Sequence, residues 1–158
     1  MSKHRLSSFA VVTLAAALSA LFVTATPARA QTPAATSPGC AQVEVQNVRP
    51  EQGMLMVAAY GDAAGFQKAP LVATQMRVGA GATLTFPLCG LSGGSVALTL
   101  FQDLNGNGKL DANVMGIPSE PWGASGKPSP MQAPSWATTS VPLDGSTIVV
   151  RLSKLASN

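Results

Sequence analysis

The stretch Met54-Leu-Met-Val-Ala-Ala-Tyr60, or MLMVAAY, has no polar or charged break along its length. Successive side chains of a β-strand point to opposite faces of a sheet, so a half-exposed strand alternates apolar and polar residues. A run that is apolar on both faces is typical of a central strand covered on both sides. We therefore predict a strand inside a sheet at residues 54–60.

The segments around this run alternate apolar and polar residues with a period of two, which indicates further strands. No amphipathic helical pattern of ten or more residues occurs after the N-terminal region. Short strands with frequent glycine and proline between them predict an all-β fold, namely an antiparallel β-sandwich of immunoglobulin or transthyretin type. We expect about seven strands within a domain at 40–155: 41–46, 54–60, 75–78, 83–88, 96–100, 136–143 and 146–152.

The N-terminus has the pattern of an export signal. A short basic segment precedes an apolar run at residues 9–23, which is shorter than the roughly 20 residues that a membrane-spanning helix needs. Ala28 and Ala30 then form the A-x-A pattern of a signal-peptide cleavage site. We predict a signal peptide over residues 1–30, cleaved before Gln31, and a periplasmic or secreted protein that does not span a membrane after cleavage.

Removal of this segment changes the charge balance. The chain has 10 Lys and Arg against 7 Asp and Glu, and Lys3, Arg5 and Arg29 lie in the predicted signal peptide. The mature chain is therefore close to neutral and keeps no basic cluster for phosphates, which excludes nucleic-acid binding. Residues 31–39 are rich in Pro, Thr and Ala without periodicity, and they predict a flexible leader.

The chain has only two cysteines, Cys40 and Cys89, and both lie in the predicted exported part. An exported protein meets an oxidising compartment, so we predict one disulfide. A cross-link that closes a loop of this length contributes about 4 kcal/mol in the chain-entropy model. Two free buried thiols are the alternative. A catalytic thiol is disfavoured because His4, the single histidine, lies in the signal peptide.

The segment 103–135 interrupts the strand pattern. It holds no convincing strand and is rich in proline and glycine, so we predict one long loop. Structureless connections of this length are unusual in compact domains and are often functional. If the protein has a functional surface, we expect this segment to form it.

The loop begins with DLNGNGKLD at residues 103–111, which matches the spacing of a calcium loop. Ca²⁺ takes six to eight oxygen ligands, and alternate residues of a curled loop turn their side chains toward one centre. Gly108 permits the sharp bend, but Val114 stands where such loops carry a bidentate Glu. We predict a weak Ca²⁺ site that uses side-chain oxygens and one backbone carbonyl, from Asp103, Asn105, Asn107, Lys109 (the carbonyl), Asp111 and Glu120.

Other interpretations of these residues remain open. Asn-Gly occurs twice in the loop and is a strong hairpin-turn signal that needs no metal. The carboxylates of Asp103, Asp111 and Glu120 could instead serve a hydrolase, although no nucleophile and base can be assembled with them.

Two further groups of residues have both a functional and a structural interpretation. Met54 and Met56 share one strand face and could bind copper, but packing in the core is the better interpretation. Trp122 and Trp136 could stack on a sugar or cover the edge of the sandwich, and we favour covering.

The chain from Leu91 to Gly123 resembles a bacterial family known as domain of unknown function 2141. Members typically carry a DENGNGKLD-like loop, a GIPTE-like turn and a YGFSN-like segment. The corresponding stretches here are DLNGNGKLD, GIPSE (116–120) and WGASG (122–126), and the likeness covers most of residues 40–152. This chain departs from the family pattern at three positions, where His, Glu and an aromatic residue are common: Gln102, Leu104 and Ala124.

The resemblance implies an exported β-rich domain and no established activity. We therefore expect a non-enzymatic binding or structural module of the cell envelope, with an unknown protein or glycan partner and a loop ordered by Ca²⁺. A hydrolase that uses the loop carboxylates outside the cytoplasm is the alternative.

Overall fold

A computed structural model describes residues 39–129 and 132–153. The predicted signal peptide, its cleavage site and all of the predicted leader except Gly39 lie outside these residues. No helix among the described residues is long and apolar enough to cross a membrane.

The described chain is built from eight strands and one short helix. In chain order they are β1 (Cys40–Gln46), β2 (Met54–Tyr60), β3 (Val72–Arg77), β4 (Thr83–Cys89), β5 (Ser95–Asp103), β6 (Trp122–Ala124), α1 (Trp136–Thr139), β7 (Ser140–Pro142) and β8 (Ile148–Arg151). One sheet has the order β4-β1-β8, and the other has the order β3-β2-β5-β6 with β7 also paired to β5. The predicted all-β sandwich is therefore confirmed. One pair, β1 with β8, is parallel, whereas the other pairs are antiparallel.

The core lies between the two sheets and consists of the alternate residues that the period-two pattern marked. Inward side chains of β1, β2, β5 and β8 are at most 5 % exposed, and burial of such branched aliphatic groups contributes roughly 1.5–3 kcal/mol each. The core residues of these strands are Ala41, Val43, Val45, Leu55, Val57, Ala59, Val96, Leu98, Leu100, Ile148 and Val150.

The disulfide joins Cys40 and Cys89, which face each other across the β1–β4 pair. The prediction of a single disulfide is confirmed. The bond closes the end of β1 nearest the N-terminus, next to Gly39, whose carbonyl accepts the Leu91 N–H at 2.9 Å.

Two sequence predictions were wrong in detail. The segment predicted as a strand at 136–143 begins with α1, because Ser135 and Thr138 form a capping box that satisfies the first N–H groups of a helical turn. The segment 103–135 is not strand-free, since β6 pairs with β5 at Phe101↔Trp122.

The short strand β6 lies where the two sheets approach each other. The Ser153 N–H donates to the Trp122 carbonyl at 2.7 Å, and the Trp122 N–H donates to Ser153 Oγ at 3.1 Å. A Cβ atom at Gly123 would lie 2.6 Å from the Arg151 carbonyl oxygen, so only glycine permits this approach. A three-residue strand of this kind leaves no periodic signal in the sequence.

The last turn follows the prediction. Asp144 and Gly145 connect β7 to β8, and Gly145 has a positive φ of 86°. The Ser146 N–H donates to Asp144 Oδ1 at 3.0 Å. Hydrogen bonds from the side chain and backbone of Ser146 lower the pKa of Asp144 below its ordinary value.

Candidate functional site

The loop with the calcium-type sequence curls around the carboxylate of Asp103, the last residue of β5. Oδ1 accepts the N–H groups of Gly106 at 2.7 Å and Asn107 at 3.2 Å, and Oδ2 accepts the N–H of Gly108 at 2.7 Å. Gly106 and Gly108 have φ values of 77° and 75°, a region that other residues rarely enter, and these turns bring successive N–H groups to one side. The buried Asp103 side chain therefore organises the loop from within.

Glu120 folds back onto the same loop. The chain between Asp111 and Glu120 forms a hairpin, in which the Ser119 N–H donates to the Asp111 carbonyl at 2.8 Å. The hairpin brings Glu120 Oε1 to the Leu104 N–H at 2.8 Å and Oε2 to the Asp111 N–H at 3.1 Å. Only 4 % of Glu120 is exposed. Its carboxylate thus holds the start and the end of the loop together.

The exposed rim of the loop brings Asn105, Asn107 and Asp111 into contact. Asn105 Nδ2 donates to Asp111 Oδ2 at 2.6 Å, and Asn107 Nδ2 donates to the two Asp111 oxygens at 3.0 and 2.9 Å. Asn107 Oδ1 accepts the Lys109 N–H at 2.8 Å. The six predicted ligand residues are therefore brought to one loop.

The donor set is compatible with a weak cation site. Within residues 39–129 and 132–153, no three carboxylate, imidazole or thiol side chains are grouped as a metal site. A cation at the rim would therefore need the Asp111 carboxylate together with the amide oxygens of Asn105 and Asn107. These amide oxygens reach Asp111 only if the side chains turn over, because their nitrogens face it in this structure.

An apolar cavity of about 730 Å³ lies beside the loop, over the outer face of β5 and β6. Sites for small molecules have volumes of roughly 300–1,000 Å³. The apolar side chains come from both strands and from the hairpin after the loop, while the polar ones are uncharged. The side chains that define the cavity are Gln67, Thr99, Phe101, Leu110, Ile117, Trp122, Gln132 and Pro134.

A second cavity of about 480 Å³ adjoins it over β2 and β3. The two share Thr99 and Phe101, so they form one continuous surface, which we call the apolar trough. Its side chains over β2 and β3 include Met56, Tyr60, Ala73 and Gln75. No Asp, Glu, Lys or Arg lines either cavity, which sets the trough apart from the charged loop beside it.

The trough explains the run that is apolar on both faces. Leu55, Val57 and Ala59 fill the core, whereas Met56 lies on the opposite, half-exposed face. The expectation that β2 is covered on both sides, with Met54 and Met56 in the core, was therefore wrong. The sequence pattern was the same because the trough and the core both use apolar side chains.

The two tryptophans have different surroundings. Trp136 packs edge-on against Phe66 with ring centroids 6.4 Å apart, and Phe66 packs against Tyr60 at 5.2 Å. Trp136 thus belongs to an aromatic cluster with Phe66 and Tyr60, and its role at the edge of the sandwich stays a prediction. Trp122 pairs with Phe101 on the neighbouring strand and lines the trough.

Gln102 has a structural role that the sequence pattern did not predict. Its side chain is fully buried, and Oε1 accepts the Arg49 N–H at 2.7 Å. Nε2 donates to the carbonyls of Arg49 at 2.8 Å and Gln52 at 2.7 Å. An amide at a core-facing position of β5, in line with Leu98 and Leu100, was the available signal. This amide fixes the connection between β1 and β2.

The comparisons with known proteins identify a family and add no activity. No curated protein and no solved structure matches the chain. A family described as "Uncharacterized protein conserved in bacteria (DUF2141)" matches residues 43–151, which is more than half of the chain. These residues include every strand from the middle of β1 to the end of β8 as well as the loop and the trough. The chain therefore belongs to the bacterial DUF2141 family.

Proposed function

We propose that this protein is a non-enzymatic binding module of the bacterial cell envelope and that the apolar trough is its binding site. The observation that carries the proposal is the half-exposed row Met56, Phe101 and Trp122 on the outer face of the five-stranded sheet. Outer sheet faces normally carry polar side chains, and a contiguous apolar surface marks an interaction site. The partner is a component of the envelope, a class that includes proteins and glycans.

The arrangement of the carboxylates favours binding over catalysis. Asp103 and Glu120 are buried, and their oxygens accept backbone N–H groups of their own loop. A general acid or base must reach the proton that it transfers, and neither carboxylate lines the trough. A hydrolase is the second candidate, since the half-buried Asp111 follows Leu110, which does line the trough.

Export is the second part of the proposal. The pattern at residues 1–30 has the organisation of a signal peptide, and the Cys40–Cys89 disulfide suits an oxidising compartment. The protein then acts in the periplasm or outside the cell.

Calcium is the third part. Asp111 supplies a carboxylate of the type that Ca²⁺ prefers, and Asn105 and Asn107 would add amide oxygens once their side chains turn over. Asp103 and Glu120 hold the loop that carries these residues. The ion would restrain the loop and, through Leu110, one wall of the trough. The few carboxylates predict weak affinity, roughly 10⁻⁴–10⁻³ M.

The binding proposal is tested by offering envelope fractions to the purified protein. The fractions are a lipid extract, soluble glycan fragments and envelope proteins, and the readouts are tryptophan fluorescence and thermal unfolding. Ile117→Lys places a charge on the trough wall, and Val149→Lys is the matched control on the other sheet, because the two positions are 55 % and 48 % exposed.

We expect one fraction to raise the unfolding temperature of the wild type and of Val149→Lys, but not of Ile117→Lys. If no fraction acts, or if the two variants respond alike, the trough is not the binding site. Release of a cleaved product that stops in Asp111→Asn would replace the binding proposal with the hydrolase.

A further inference from the structure

The lining of the trough restricts the charge of its occupant. Phe101 and Trp122 form its floor and Ile117 forms part of its wall. The polar groups are uncharged throughout: Gln67, Thr99 and Gln132 over β5 and β6, and Tyr60, Thr74 and Gln75 over β2 and β3. A charged group placed here would lose its hydration without an opposite charge to replace it. An uncharged ligand pays no such penalty.

The hydrogen-bonding capacity of the trough restricts the occupant further. Its floor is a sheet face, where β2 lies between β3 and β5, and β5 lies between β2 and the β6 and β7 segments. The backbone groups of these inner strands are used in the ladders. A peptide main chain or a sugar laid across this face would therefore bury amides or hydroxyls without partners, at about 1–3 kcal/mol per group.

The dimensions indicate an elongated molecule. Gln75, Met56, Phe101 and Trp122 are paired in one row across four strands. Neighbouring strands lie about 4.8 Å apart, so the row spans about 14 Å. Met56 in the middle has a flexible thioether side chain that adapts to irregular apolar shapes.

Resting on the proposed binding function, we propose that the trough binds an uncharged apolar small molecule with an extended hydrocarbon or ring body and at most one polar end. The body lies over Met56, Phe101 and Trp122, and the polar end meets Gln67, Thr99 or Gln132. This ligand class uses the apolar area and leaves few polar groups unpaired.

The test uses N-phenyl-1-naphthylamine, an uncharged fluorescent probe, with the disulfide-bonded protein purified after export. We expect saturable 1:1 binding that a long-chain fatty alcohol displaces, and that neither a maltooligosaccharide nor an uncharged apolar peptide displaces. Ile117→Lys and Phe101→Asp should weaken binding at least tenfold. The variants Val149→Lys and Val114→Lys change exposed side chains outside the trough and should bind the probe as tightly as the wild type. Val114 lies in the same hairpin as Ile117, so Val114→Lys also shows whether a charge elsewhere in this hairpin affects binding.

Thermal unfolding of each variant shows whether it is folded, and Ile117→Lys remains informative if Phe101→Asp is not, because Ile117 is an exposed side chain. The proposed ligand class is overturned if the probe does not bind the wild type, or if Ile117→Lys and Phe101→Asp bind it as tightly as the wild type does. If the peptide or the oligosaccharide then binds in a manner that depends on Ile117, the trough is still a binding site and only its occupant was wrong. If Ile117→Lys also leaves the binding of the peptide and the oligosaccharide unchanged, the proposed function fails as well.

Discussion

At the scale of single residues, two buried polar side chains at the end of β5 hold neighbouring backbone segments in place. Asp103 accepts three N–H groups of its loop, and Gln102 pairs with the N–H and the carbonyl of Arg49 and with the Gln52 carbonyl. Removal of one partner from a buried hydrogen bond costs more than the bond itself contributes, because the remaining group is left without water. These side chains are therefore expected to matter more than their exposed neighbours.

Asp103→Asn should lower the free energy of unfolding by about 1–3 kcal/mol, because the new amide group directs a donor at a backbone N–H. Urea unfolding measures the change. Asp62→Asn is the matched control, since Asp62 Oδ1 accepts a single N–H, from Gly65, at 2.7 Å, and an asparagine oxygen can replace it. The control should stay within about 0.5 kcal/mol of the wild type; equal losses in both variants would contradict the role of Asp103.

Gln102→Leu should lower the free energy of unfolding by about 2–4 kcal/mol, because it leaves three partly buried backbone groups without their partner. Gln42→Leu, on the outward face of β1, is the control and should change stability little. Hydrogen exchange should also show faster opening of residues 47–53 in Gln102→Leu. An unchanged exchange rate there would mean that other contacts hold this connection.

At the scale of elements, the loop 103–111 and the hairpin 111–120 form one unit that supports the trough. The hairpin turn is closed by hydrogen bonds from the Gly116 N–H to the Asn113 carbonyl at 2.8 Å and from the Asn113 N–H to the Ile117 carbonyl at 2.9 Å. Leu110 and Ile117 then project from the unit into the trough wall. Order in the loop is thereby linked to the shape of the trough.

Calcium should raise the unfolding temperature of the wild type by several degrees relative to excess EDTA. A ligand at 100 times its dissociation constant adds about 2.7 kcal/mol when it binds only the native state. Asp111→Asn should abolish the rise, and Asp62→Asn should keep it. Asp111 is a sharper probe than Asp103 because Asp103 also holds the loop without metal. A rise that survives in Asp111→Asn would place the ion elsewhere, and no rise in the wild type would make the loop a metal-free turn.

At the scale of the whole molecule, the disulfide ties β1 to β4 at one end of the three-stranded sheet. The cysteines are separated by 49 positions in sequence, so reduction frees a long loop in the unfolded chain. We expect a reductant to lower the free energy of unfolding by about 2–4 kcal/mol, measured by urea unfolding. A Cys40→Ser/Cys89→Ser double variant that does not respond to the reductant controls for other effects. A loss below about 1 kcal/mol in the wild type would show that strand pairing alone closes this end.

Export also concerns the whole molecule. Mass spectrometry of the protein recovered from outside the cytoplasm should give a chain that begins at Gln31. Ala28→Lys/Ala30→Lys, which replaces the small residues of the cleavage pattern, should retain the leader. A full-length chain in the exported fraction of the wild type would contradict the cleavage site, and a wholly cytoplasmic protein would contradict export.

The sequence by itself determined the all-β class, the disulfide and the residues of the loop, because these follow from local rules. Alternation places Val43, Leu98 and Val150 in a core, and glycines at 106 and 108 permit a tight loop. Only the tertiary structure decided that Met56 faces a trough, that Glu120 returns to the start of the loop and that Gln102 holds the β1–β2 connection. Each of these depends on which strands become neighbours, and strand pairing joins residues far apart in the chain. Core and trough are both apolar, so the pattern alone cannot separate them; the packing of one sheet against the other does.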